Sequence, residues 1–150
     1  MAKKEVQLSA STVMQAIRAG RVLQKRLEGE LAELGLTMRH LGALGHLNRR
    51  PDMSYSELAR RSGVTAPSML ATVRGLETMG AVHRTLAGQG HPARLEVTPE
   101  GKKLLDKVRV IVGGLDDELT ASLTGAQREA LDEALLVAAS LPERFDDDAW

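Results

Sequence analysis

The stretch that most constrains this chain runs from Ser54 to Gly80, SYSELARRSGVTAPSMLATVRGLETMG. It reads as two short helices joined by a tight turn. Ser54 and Glu57 have capping-box spacing, in which a serine oxygen takes an orphan backbone N–H and a glutamate three residues on reaches back. Leu58 and Ala59 are expected inward, Arg60 and Arg61 outward. Gly63 stands at the turn, where a positive φ costs glycine least. Thr65 is a good N-cap, and Pro67 suits a first helical turn, which needs no N–H there. Met69, Val73 and Leu76 then form an apolar stripe at i, i+4 and i+7. Pro67, Ser68, Ala71 and Arg74 project from the opposite face. This is a helix-turn-helix pattern, whose second helix normally enters the major groove of DNA.

The period changes directly after it. Val82, Arg84 and Leu86 alternate, Gly88, Gly90 and Pro92 break the chain, and Leu95 and Val97 alternate with Arg94 and Glu96. The spacing predicts a β-hairpin with a glycine-rich tip, a wing that can reach a minor groove. Gln89, His91 and Arg94 are its DNA-facing side chains. Upstream, residues 9–34 read as a long helix beginning at Ser9 or Ser11, with Met14, Ile17, Leu23, Leu27, Leu31 and Leu34 at helical spacing and Gly35 as its stop. Thr37 caps a second helix with Leu41, Leu44 and Leu47 inward, ending before Pro51. Gly42 and Gly45 inside it fit either close packing against a neighbour or room for a small molecule. Downstream, Thr98 and Pro99 open a helix carrying Leu104, Val108, Ile111, Leu115 and Leu119, with a kink or crossing expected at Gly113 and Gly114. Thr124 and Gln127 form another capping box, followed by Leu131, Leu135, Ala138 and Leu141 and a stop at Pro142. The acidic tail ERFDDDAW is expected to be mobile unless Phe145 or Trp150 docks on a partner.

The fold expected is therefore mainly α with a small β-hairpin: one 150-residue domain, with a winged helix-turn-helix over about 37–98. Residues 9–34 and 100–141 supply helices whose apolar stripes need a second copy of the chain to cover them. Net charge is zero, yet residues 1–48 carry 7 Lys/Arg against 4 Asp/Glu, residues 49–103 carry 9 against 5, and residues 104–150 carry 4 against 11. The basic excess lies over the helix-turn-helix and its flanks, where a phosphate backbone would sit. Solvated faces of mixed sign would leave such an excess anywhere. Arg49, Arg50, Arg60 and Arg61 are phosphate candidates, with surface solubility as the rival role. Arg74 has a salt bridge to Glu77 as its rival.

Zero cysteines remove disulfides, thiolate zinc sites and thiol redox sensing. No run of eighteen apolar residues occurs, and the start MAKKEVQLSAS has no secretory pattern, so the expectation is a cytoplasmic protein without a membrane partner. His40, His46, His83 and His91 are spread over different elements, which suits no metal ion. No glycine-rich phosphate loop follows a strand and no GxSxG occurs, so an enzyme is not expected, nor any cofactor.

In this layout the runs LTMRHLGALGHL, SELARRSGVTAPSM, RGLETMGAVHR and RLEVTPEGKKLL resemble the MarR family of transcription regulators over about residues 36–105. The resemblance implies a homodimer, most often a repressor, that binds a palindromic operator in double-stranded DNA. It also implies a small apolar or phenolic effector that relieves binding. Such a ligand would lie between the dimer helices and the winged domain, where Gly42 and Gly45 leave space beside His40, Leu41 and Leu44. The DNA-contacting set is then Thr65, Pro67, Ser68, Ala71 and Arg74 from the second helix of the motif, Arg60 and Arg61 from the first, and Gln89, His91 and Arg94 from the wing. Leu70 and Ala71 stand where the family often has a polar residue, and the wing tip GQGHPAR keeps only Arg94 of the usual acidic-then-arginine pattern. Base readout is therefore expected to be sparse, with DNA shape contributing. The alternative is a winged helix used for protein contacts without sequence-specific DNA binding.

Overall fold

The computed structural model describes residues 7–85 and 94–142. A single 3₁₀ turn, Leu8–Ala10, precedes α1 (Thr12–Glu33). There follow α2 (Met38–Arg49), α3 (Tyr55–Arg61), α4 (Ala66–Thr78), β1 (Val82–Thr85), β2 (Arg94–Val97), α5 (Pro99–Thr120) and α6 (Gly125–Ala139). The chain divides into two compact units, residues 1–112 and 113–150.

In the first unit the helix boundaries follow from local chemistry. Gly35 and Gly63 take φ of 71° and 64°, left-handed values that end α1 and turn the chain between α3 and α4. Thr65 Oγ1 accepts from the Ser68 N–H at 3.3 Å and starts α4. The box expected at Ser54 is only half made. Ser54 Oγ accepts from the Glu57 N–H at 3.2 Å, but the Glu57 carboxylate turns to Arg61 at 3.4 Å and Arg50 at 3.8 Å. A guanidinium pair is charge-assisted, so it competes well with a neutral backbone N–H for that carboxylate.

α2 instead carries a full box that the sequence pattern concealed. Thr37 Oγ1 accepts from the His40 N–H at 3.2 Å, and the Thr37 N–H donates to His40 Nδ1 at 3.1 Å. Histidine here does what glutamate or glutamine usually does at that position.

One core holds this unit together. Leu31, Leu44, Leu47, Leu58, Met69, Val73, Leu76 and Leu95 are fully buried, bringing one residue of α1, the inner faces of α2 to α4 and the wing into one cluster. Leu41 is only half-buried at its edge. Met14 and Ile17 are exposed, so the α1 stripe meets the core only from Leu27 onward. From α5, Leu105 and Val108 are buried while Leu104 packs at the margin, a stripe rotated slightly from the expected one.

The two strands pair antiparallel, with Val82 opposite Val97 and Arg84 opposite Leu95. Thr98 fastens the exit of the wing: its N–H donates to Ala81 O at 3.0 Å, its hydroxyl donates to Gly80 O, and its Oγ1 accepts from the Gly101 N–H at 3.0 Å.

The second unit consists of the last turns of α5 and all of α6. Thr124 and Gln127 form the full box expected, at 2.9 and 3.2 Å. Arg128 donates to the Thr120 hydroxyl across the connecting turn. α6 has no buried residue, and Leu135, Leu136, Val137 and Leu141 are all exposed. Gly113 and Gly114 do not end α5, which continues to Thr120; the division between the units falls at Gly113. No helix among the described residues is long and apolar enough to cross a membrane.

Candidate nucleic-acid interface

α4 has two unlike faces. Met69, Val73 and Leu76 are buried, and so is Thr72, whose hydroxyl donates to Ser68 O at 3.1 Å. Thr65, Pro67, Ala71 and Arg74 are exposed, and Ser68 is half-buried. Helical geometry produces this division: 100° per residue carries positions 67, 71 and 74 to the side away from 69, 73 and 76. The outward face is narrow, short-chained and uncharged except at Arg74. Its small side chains let a backbone approach closely, and its one guanidinium is a planar five-donor fork.

Arg74 forms no salt bridge among the described residues. The rival partner, Glu77, is engaged elsewhere: Arg84 Nε and Nη2 donate to its two carboxylate oxygens, each at 3.1 Å. Arg84 also lies over the Tyr55 ring, 5.6 Å from its centroid. The hydrogen bond to Glu77 holds the Arg84 guanidinium more firmly protonated. Burial pushes the Tyr55 phenol above its ordinary pKa, and the Arg84 charge partly offsets this. The cluster joins the start of α3, the end of α4 and β1. Sequence reasoning missed it, because Arg84 looked like one more member of an alternating strand.

The wing base carries Arg94, exposed as expected, with Nη1 3.6 Å from the Asp52 carboxylate. Asp52 sits between α2 and α3 at φ 76°, a conformation that aspartate tolerates better than most residues. Both partners are more than half exposed, so the pair is weak and screened. It orients Arg94 without occupying it. Gln89 and His91 lie outside the described residues. Arg60 is exposed on α3, and Arg61 beside it shares Glu57 with Arg50.

The residues considered for a ligand are not gathered around one space. His40 caps α2, and its ring lies on α4, where a Cβ at Gly75 would stand 2.9 Å from Nε2. Burial lowers its pKa, and the hydrogen bond from Thr37 likewise needs Nδ1 unprotonated. Leu44 is in the core. A Cβ added at Gly42 or Gly45 would meet nothing within 4 Å, so close packing inside this chain is not why they are glycine. Gly75 and Gly101 are the crowded ones: a Cβ on Gly101 would meet Ala81 O at 2.1 Å. A groove of about 310 Å³ does open on the other side of α2. One wall is Met38, Gly42 and His46, and the other is Ser62, Val64, Met69 and Thr72. Among the described residues no three His, Asp or Glu side chains converge as metal ligands would.

A buried stripe on α4, an exposed face behind it and a two-stranded hairpin returning into α5 define a winged helix-turn-helix protein. The model of the MarR family matches residues 34–91. The HTH-type transcriptional repressor Rv2887 of Mycobacterium tuberculosis is 35% identical over 114 residues, covering 74% of this chain and 81% of that protein. This chain belongs to the MarR family. The solved structure of Rv2887 in complex with DNA superimposes with a TM-score of 0.75 at 30% identity, over 87% of this chain and 99% of that one. Its complex with salicylic acid gives 0.67 at 30% identity, over 86% and 96%.

Proposed function

We propose that this protein is a DNA-binding transcriptional regulator of the repressor type, acting as a homodimer on a palindromic operator and relieved by a small-molecule effector. The observation that carries the reading is the outward face of α4, Pro67, Ala71 and Arg74, left clear of the core while the opposite stripe is wholly buried. Thr65, Ser68 and that face would meet the major groove, Arg60 and Arg61 the phosphates beside it, and Arg94 with Gln89 and His91 the flanking groove. Residues 9–34 and 100–141 would serve as dimerisation helices, which the exposed leucines of α6 support. The DNA and salicylic acid complexes of Rv2887 support the partner and the effector class, and they disfavour a winged helix used only for protein contacts. No catalytic step enters this reading.

Selection of bound fragments from random duplex DNA tests it. The expected product is an inverted repeat whose half-site centres are about 34–36 Å apart. Recovery of unrelated sequences, with binding that vanishes at moderate salt, would reduce the chain to a non-specific polyelectrolyte binder.

A further inference from the structure

We propose that Arg84 is a positioning residue for base recognition: by taking both oxygens of Glu77 it keeps that carboxylate from closing on Arg74. The consequence for DNA rests on the DNA-binding reading above; the diversion of Glu77 does not.

Within α4 alone, Arg74 and Glu77 are the pair that helix geometry favours. They stand three residues apart, where side chains on a helix surface are neighbours, about 5–6 Å between Cβ atoms. Glu77 also lies in the last turn, beside carbonyls without helical partners, where a carboxylate is unfavourable unless a cation offsets it. The pair is nonetheless absent among the described residues, because both Glu77 oxygens accept from Arg84 at 3.1 Å.

Three features make Arg84 the stronger partner. Its contact is two-pronged, which matches a guanidinium to a carboxylate better than a single bond does. The side chains of Arg84 and Glu77 are 32% and 25% exposed, so water and salt screen them less than they would screen the exposed Arg74. The Arg84 guanidinium also rests over the Tyr55 ring, 5.6 Å from its centroid, which fixes its direction. The Tyr55 hydroxyl, shielded from solvent and without a hydrogen-bond partner among the described residues, takes no part in holding Glu77. Burial first, then the charges of Arg84, Glu77 and Arg74, act on the Tyr55 phenol, so all three charges lie within reach of one ring. Removing Arg84 therefore leaves a half-buried carboxylate with Arg74 as its neighbour on the same helix. A captured Arg74 would offer fewer free donors to a base, and Glu77 would repel the phosphates beside it.

The test uses the full-length chain and the variants Arg84→Ala, Glu77→Ala and the two together. A further variant, Arg84→Met, keeps an apolar stem over Tyr55 without the charge. In the free protein, the ¹⁵N–¹H resonance of Arg74 Nε is expected to shift in both Arg84 variants and to return in the double variant. On the selected operator, the preference at the base pair that Arg74→Ala flattens should fall about twofold or more in the Arg84 variants. Glu77→Ala should keep that preference and the double variant should recover it, although the tie between wing and helix is still missing. Loss of the tie alone would not be reversed by removing Glu77. An unmoved Arg74 resonance in the folded Arg84 variants, an unchanged base preference in them, or a preference lost equally in single and double variants overturns the proposal. A resonance shifted and restored in a chain that selects no DNA supports the diversion of Glu77 and removes the regulator reading.

Discussion

Arg84 holds Glu77 through two parallel hydrogen bonds of 3.1 Å, so the first strand of the wing is tied to the last turn of the recognition helix. The tie sets the angle between the two elements that would reach DNA together. Either Arg84→Ala or Glu77→Ala is expected to lower operator affinity several-fold in fluorescence anisotropy, and the double variant is expected to lose no more than the worse single. Additive losses would mean that the two residues act separately.

His40 makes stability depend on pH. Its folded pKa lies below the ordinary 6.5, so the unfolded chain binds the extra proton first. The contribution is complete above about pH 6.5 and is lost as pH falls through the lowered folded value. His40→Gln keeps a side chain that can reach the Thr37 N–H but does not titrate. Urea midpoints of the variant should therefore vary less than wild type between neutral and mildly acidic pH. Identical profiles would exclude His40 as a source of the dependence.

Two glycines make opposite predictions. Gly101→Ala puts a methyl 2.1 Å from Ala81 O and 2.8 Å from Val97 Cγ1, where the chain leaves the wing. It should cost about 3 kcal/mol in denaturant unfolding, because backbone on one side cannot yield cheaply. Gly42→Ala meets nothing within 4 Å and should stabilise by about 0.5–1 kcal/mol through helix propensity. A Gly101→Ala protein as stable as wild type would show that the wing exit relaxes freely.

Leu136 is 70% exposed on α6, so a charge there harms nothing within one chain. Leu136→Glu is expected to leave helicity unchanged and to shift the sedimentation coefficient from dimer to monomer. A variant that still sediments as the wild-type dimer would place the interface elsewhere.

Most of the fold was legible because its boundaries are written in residues that act locally. Thr37, Thr65 and Thr124 cap the helices they precede, and Gly35 and Gly63 take the left-handed turns expected of them. Partners chosen across the fold were not legible. Glu57 left its capping role for two arginines, His40 took one, and Arg84 removed Glu77 from Arg74. Each outcome depends on which charges meet once the helices pack, which spacing along the chain does not encode. The glycines show the same limit. Gly75 and Gly101, the crowded ones, carry no local signal, whereas the conspicuous pair in α2 faces open space.

The central claim is that the outward face of α4 reads DNA, and Arg74 is its one charged member. The direct measurement is the affinity of wild type, Arg74→Ala and Arg94→Ala for the selected operator, for every single-base-pair variant of it, and over a range of salt. Arg94→Ala should weaken all sequences alike and shallow the salt slope by about one unit. Arg74→Ala should lose roughly 1–3 kcal/mol and flatten the preference at one base pair of each half-site. An Arg74→Ala dimer with wild-type affinity and an unchanged preference at every position would contradict the account.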